Sequence, residues 1–268
     1  MMEINLLVTL NAQYLLPLKT ALLSLADNNS DITCHVWLLH QSITKNELTQ
    51  LSRFVNHLGW TFSAIKVDQV FGTQAIDTIH NYPQEMYFRL LAGDLLPQSV
   101  TRVIYLDPDT LIINDLTKLW QLDLGTAMMA AAAHAGLIDA VTPLNNLRLN
   151  TATKYFNTGL LLMDLGQTRK IIKAVDIQQA IDRYRGQLLL PDQDVLNFLY
   201  GSHILEVPEE IWNYDTRKFM TYQLRSRGDH DLQWVMANTV VLHFAGRPKP
   251  WEQNSDGRFT TLYLQYRR

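Results

Sequence analysis

The stretch Val103-Ile104-Tyr105-Leu106-Asp107-Pro108-Asp109-Thr110 joins an apolar run of strand character to two carboxylates one residue apart. Alternate side chains of an extended segment point the same way, so Asp107 and Asp109 converge on one point where a strand leaves the core. Carboxylates held that close repel each other unless a cation or hydrogen-bond donors offset their charge. A divalent ion bound to a diphosphate meets that demand, and oxygen ligands suit Mg²⁺ or Mn²⁺. An Asp-x-Asp alone also fits a solvated turn, which Pro108 favours. The buried approach through Val103 to Leu106 is what favours the metal reading.

Working outward from this stretch, apolar runs alternate with helix-period segments: a strand at Ile4–Val8, a helix over 14–26, a strand at Ile32–Leu39 and a helix over 45–58. Thr44 and Glu47 have capping-box spacing, Gly59 closes the helix, and a strand over 61–67 follows. A helix over 83–96 then leads to the strand Arg102–Leu106. This βαβ alternation predicts an α/β fold with a mostly parallel sheet. Ligands of such sheets bind beyond the carboxyl ends of the strands, so Thr9-Leu10-Asn11 and Asp107-Pro108-Asp109 face one crevice. Further strands are expected at 127–133 and 159–163, and a long helix over 167–184. No Gly/Ser linker or repeat divides the chain, which predicts one domain over residues 1–268.

In the last third, a strand at Thr239–Leu242 runs into His243-Phe244-Ala245-Gly246-Arg247-Pro248-Lys249-Pro250-Trp251. A histidine after a strand is commonly structural. Here Gly246 permits close backbone approach, Lys249 offers a point charge to phosphate, and two prolines restrict the loop. An imidazole added to the two carboxylates shifts preference towards Mn²⁺. Pro191 and Asp192 mark a helix start, and the spacing of Gln193 and Asn197, four residues apart, lets both face the cleft from one helical side.

The bulk composition narrows the partners. The 268 residues carry a net charge of -3, with 47% hydrophobic and 18% charged residues. A large core is therefore available, and no basic surplus argues for nucleic acid. Arg225, Arg227, Arg267 and Arg268 support at most a peripheral membrane contact. Cys34, the single cysteine, sits in a buried-strand pattern that suits a packed thiol, and no disulfide can form within the chain. The start of the sequence lacks a basic region and a cleavage pattern, and a cytoplasmic location is expected, with any membrane contact at the inner face.

Four segments, Tyr105 to Asp109, Tyr155-Phe156-Asn157-Thr158-Gly159, Pro191-Asp192-Gln193-Asp194-Val195-Leu196-Asn197 and His243 to Trp251, stand in one order between about Ile4 and Trp251. Together they resemble glycosyltransferase family 8, which contains retaining galactosyl- and glucosyltransferases. The resemblance implies a GT-A fold, with residues 1–125 forming a nucleotide-binding half and 126–268 a sugar and acceptor half. It implies that Asp107, Asp109 and His243 hold Mn²⁺, with Mg²⁺ as a substitute. The donor would be UDP-galactose or UDP-glucose, and the acceptor a hydroxyl of a glycan, glycolipid or protein. Val8, Thr9, Asn11 and Tyr14 would meet the nucleotide, Pro108 would lie beside it, and Gly246 and Lys249 would meet the diphosphate. Arg89 would lie near the donor sugar and phosphate, Asn157 and Asp192 would hold sugar hydroxyls, and Gln193 would lie against the anomeric carbon.

An amide is a weak nucleophile, so Gln193 disfavours double displacement through a covalent intermediate and favours front-face substitution. Two positions depart from the family pattern: Asn11 and His134 stand where aspartates are common. They keep open a second reading, a UDP-sugar-binding protein without transfer activity. An aspartyl-phosphate phosphatase is disfavoured, because the acid pair follows the fourth strand rather than the first and Leu111 replaces the usual Thr or Val.

Overall fold

The computed structural model describes residues 1–68, 84–133, 153–184 and 187–267. Its strands are β1 (Met2–Thr9), β2 (Ile32–His40), β3 (Thr61–Lys66), β4 (Arg102–Leu106), β5 (Thr110–Ile112), β6 (Met129–Ala133), β7 (Phe156–Asp164), β8 (Ile204–Val207), β9 (Tyr214–Asp215) and β10 (Val241–His243). Seven of them form the central sheet in the order β3-β2-β1-β4-β7-β6-β8. Pairing is parallel from β3 to β4 and between β6 and β8. β7 runs antiparallel to both β4 and β6, and so joins the second half of the chain to the first.

The strands alternate as an extended backbone requires. Leu7, Tyr105, Leu161 and Met163 enter the core on one face of the sheet, while Leu6, Val8, Ile104, Leu106, Leu160 and Leu162 enter the core on the other. A three-stranded sheet, β5-β10-β9, packs under a third apolar cluster containing Tyr214, Tyr222, Leu242, Phe259 and Tyr263. β4 belongs to the large sheet and β5 to the small one, so Asp107-Pro108-Asp109 is the crossing between them.

The helix over Lys45–His57 carries the expected capping box: Thr44 accepts from the Glu47 N–H, and the Glu47 carboxylate accepts from the Thr44 N–H. Gly59, at φ +78, provides the left-handed residue after it. Three expectations need correction. The segment expected as a helix over 83–96 is a 3-10 helix at Gln84–Leu91 followed by one α turn at Ala92–Leu95. Tyr87, Phe88, Leu90 and Leu91 are all buried, a pattern with no solvent face for a regular α-helix.

The expected helix over 167–184 is two helices, Leu165–Ile171 and Ala174–Tyr184. Ile172 turns extended (φ -82, ψ 128) and buries its side chain, so packing wins over periodicity. The strand expected at Thr239–Leu242 starts later, at Val241, and includes His243, because its pairing with β5 runs from Val241↔Ile112 to His243↔Thr110. Pro83 and His134 lie outside the described residues. Among the described residues no helix is long and apolar enough to cross a membrane.

Candidate active site

Asp107 follows β4, Asp109 precedes β5, and His243 ends β10, which pairs with β5. This pairing is what brings the distant imidazole to the acid pair. One ligand atom from each of the three lies within 4.8 Å of the others. His243 Nε2 faces Asp109 Oδ1 at 3.5 Å and Asp107 Oδ2 at 3.9 Å. The imidazole packs close against β7 because residue 159 is glycine: a Cβ there would collide with His243 Cε1. Gly159→Ala is expected to push the ring aside and cost about 1–3 kcal/mol, read from the urea unfolding midpoint.

Arg89 is the charge hub. Its guanidinium lies 3.0 Å from Asp107 Oδ1 and 3.3 Å from Asp192 Oδ2, donates to the carbonyls of Met86 and Thr158, and stacks over the Tyr105 ring. Tyr105 in turn donates its hydroxyl proton to Asp107. Lys249 Nζ, buried, donates to Asp109 and to the carbonyl of Phe244.

The pKa directions follow from these contacts. Burial opposes ionisation of Asp109, yet His243 and Lys249 outweigh it and hold the carboxyl well below its usual range. Asp192 goes the other way: burial raises it and Arg89 offsets this only in part. Burial alone would lower His243, but Asp109 and Asp107 turn the net shift upward.

Three acids, Asp107, Asp109 and Asp192, thus share the site with Arg89, Lys249 and the His243 imidazole. A divalent cation fits the O,O,N donor set that Asp107, Asp109 and His243 offer.

Two clefts meet at the acid pair and share Met86, Arg89, Asp107 and Asp109. One, about 230 Å³, is also lined by Thr9, Leu10, Asn11, Tyr14 and Pro108. The other, about 340 Å³, is lined by Asn157, Thr158, Asp192, Gln193, Arg217 and His243. Asn11 accepts from the Gln13 N–H through Oδ1, so its NH₂ group is the end left to meet a ligand. Asn157 Oδ1 accepts from the Gly159 N–H and from Asn213, which leaves its NH₂ to the cleft.

Two sequence expectations end elsewhere. Val8 is buried in the core and does not line the nucleotide-side cleft, since it occupies the face of β1 opposite Leu7. Asn197 is also buried: its amide donates to the Phe156 and Gln193 carbonyls and accepts from the Phe156 N–H, so it clamps β7 to the helix Pro191–Tyr200. Of the two acids at that helix start, Asp194 accepts from the Tyr155 hydroxyl and the N–H groups of Leu189 and Leu190, while Asp192 faces the cleft.

The family model for glycosyl transferase family 8 matches residues 5–255. The chain belongs to glycosyl transferase family 8. This family 8 chain is 26% identical to general stress protein A of Bacillus subtilis (strain 168) over 95% of its own length and 88% of that protein. It is 25% identical to lipopolysaccharide 1,2-glucosyltransferase of Escherichia coli (strain K12), covering 93% and 73% of the two chains.

Among solved structures, the galactosyltransferase LgtC in complex with donor and acceptor sugar analogs superposes with TM-score 0.81 at 19% identity, over 98% of this chain and 95% of that one. GlyE of Streptococcus pneumoniae TIGR4 superposes with TM-score 0.73 over 100% and 60%. The fold of this family 8 glycosyltransferase is GT-A.

Thr158, Asn213 and Arg217 join the site without a role legible in the sequence. Thr158 donates its hydroxyl to Asp192, and Arg217 pairs with Asp215 at the rim. The sequence does offer a weak signal for Asn213: an amide between Trp212 and Tyr214, two aromatic residues that would otherwise suggest packing alone.

Proposed function

We propose that the chain is a Mn²⁺-dependent retaining hexosyltransferase that moves galactose or glucose from a UDP-sugar to a hydroxyl of a glycan, glycolipid or protein, with Mg²⁺ as a weaker substitute. The observation that carries this reading is the Asp107, Asp109 and His243 triad at the junction of two clefts. Uridine takes the cleft beside Thr9, Asn11, Tyr14 and Pro108, and the sugar takes the one beside Asn157, Asp192 and Gln193. The diphosphate lies between them, in reach of Lys249 and the Gly246 loop. Most of the nucleotide contacts thus come from residues 1–125 and most of the sugar contacts from 126–268, within one domain. The work takes place in the cytoplasm, with at most peripheral contact at the inner face of the membrane.

A divalent ion on the triad would supply positive charge against the departing UDP. The chain's own groups do the rest. Lys249 places its ammonium beside the same oxygens. Arg89 holds Asp107 and Asp192 in register, and the Asn157 NH₂ and the Asp192 carboxylate fix the sugar through its hydroxyls. Gln193 is buried beside this cleft, with Oε1 accepting from the Thr158 N–H. Its amide dipole stabilises positive character at the anomeric carbon while the acceptor attacks from the leaving-group face. The acceptor's proton passes to the leaving phosphate oxygen. Gln193→Ala is expected to lower turnover without abolishing it; complete loss with UDP-sugar binding intact would instead support an obligatory catalytic role.

The deciding experiment measures UDP release from a panel of UDP-sugars with Mn²⁺, Mg²⁺ or chelator. Metal-dependent release from one donor supports the reading and names the sugar; absence of binding to every donor sinks it. Lys249→Met separates the charges. In nucleotide-free protein it leaves Asp109 with His243 alone and is expected to raise Mn²⁺ affinity, while UDP affinity falls roughly 10-fold or more, as calorimetry would read.

A further inference from the structure

Behind the triad runs a line of side-chain amides, and the structure assigns Asn213 the task of fixing which nitrogen of His243 is free to bind an ion. The Gly159 N–H donates to the near atom of the Asn157 amide at 2.8 Å, so that atom is the oxygen. The same oxygen lies 2.6 Å from the Asn213 amide, and two oxygens would repel, so Asn213 presents its NH₂ there. Its other end is then Oδ1, an acceptor only, and it lies 2.8 Å from His243 Nδ1. Nδ1 must therefore carry a proton. In the neutral ring the lone pair falls on Nε2, the nitrogen that faces Asp109 and Asp107.

The relay is rigid at each step. Asn213 is 3% exposed, and its N–H closes the helical turn Glu209–Trp212 by donating to the Glu209 carbonyl at 3.0 Å. β9, which begins at the next residue, pairs with β10 at Leu242↔Tyr214, so the amide and the imidazole move with one sheet. Asn213 touches neither cleft and is a positioning residue, acting through His243. The amide also couples the two sides of the site: Asn157 Oδ1 is engaged by Asn213, so the group ordering the imidazole also turns the Asn157 NH₂ towards the sugar-side cleft. The part concerning metal rests on the function proposed above.

The test is nitrogen NMR of ¹⁵N-histidine-labelled, metal-free protein at a pH that leaves the ring neutral, with Mn²⁺ calorimetry alongside. Wild type is expected to show the Nδ1–H tautomer at His243. Asn213→Leu, close in volume and without an acceptor, is expected to shift it towards Nε2–H and to weaken Mn²⁺ binding roughly 10–100-fold. Wild type already in the Nε2–H form overturns the relay, and this needs no variant to fold. An unchanged tautomer and unchanged Mn²⁺ affinity in folded Asn213→Leu overturns it as well. Wild type that binds no Mn²⁺, with or without UDP, overturns the metal reading instead, and the tautomer still judges the relay.

Discussion

Arg89→Met is expected to destabilise the protein by roughly 3–5 kcal/mol, the cost of breaking a buried ionic cluster by removing one member. The arginine side chain is 8% exposed, and the Asp192 side chain beside it 4%. Methionine approximates the stem but leaves Asp192 and Asp107 facing each other without a cation. It also leaves the Met86 and Thr158 carbonyls without the donors Arg89 gives them. Arg89→Lys should recover only part of the loss, because one ammonium cannot span two carboxylates and two carbonyls as a planar fork does. Urea unfolding of the three proteins reads this directly. A loss below about 1 kcal/mol in Arg89→Met, the range of an exposed pair, would mean that Asp107 and Asp192 are not charged together in the folded state.

Asp109→Asn is expected to lower metal-dependent UDP release on the order of a thousandfold or more. An ion stabilising a leaving diphosphate contributes several kcal/mol at the transition state, and each 1.36 kcal/mol, roughly, is a tenfold change in rate. The substitution preserves shape and keeps an oxygen near Lys249, so folding should survive and the defect should lie in turnover. The measurement is UDP release against Mn²⁺ concentration. If the variant matches wild type at every concentration, the acid pair is not the ion's seat and its charge serves only to hold Lys249.

Much of this was legible beforehand, for reasons that differ by residue. β1, β2 and β4 could be read because a strand buried on both faces is an apolar run with few alternatives. Thr44 and Glu47 could be read because a capping box is local. The acid pair was legible for the same reason: two residues apart on one extended segment, they need no tertiary information. The helices around Ile172 and Arg89 were not, because their shape is set by what lies across the core. Ile172 leaves its helix to reach an apolar neighbour, and the 3-10 segment is buried on successive residues. Asn197 has the helical spacing to share a face with Gln193, yet its amide is spent on β7. The weak signal at Asn213 could not place it at the site, because its partners, His243 and Asn157, come from distant segments and meet only when both sheets are assembled.

That assembly bears on how the protein is made. β10 lies late in the chain, yet it is the strand that pairs with β5 and carries His243 to the acid pair. A ribosome-bound chain that has already folded β1 to β4 holds Asp107 and Asp109 but has no imidazole, no Asn213 and no Lys249 to set beside them. Contacts this far apart in sequence close slowly and late. The two carboxylates therefore leave the ribosome well before the imidazole that stands beside them, and the three-residue group exists only once β10 has paired with β5. Any ligand that prefers the completed group also favours the paired strand.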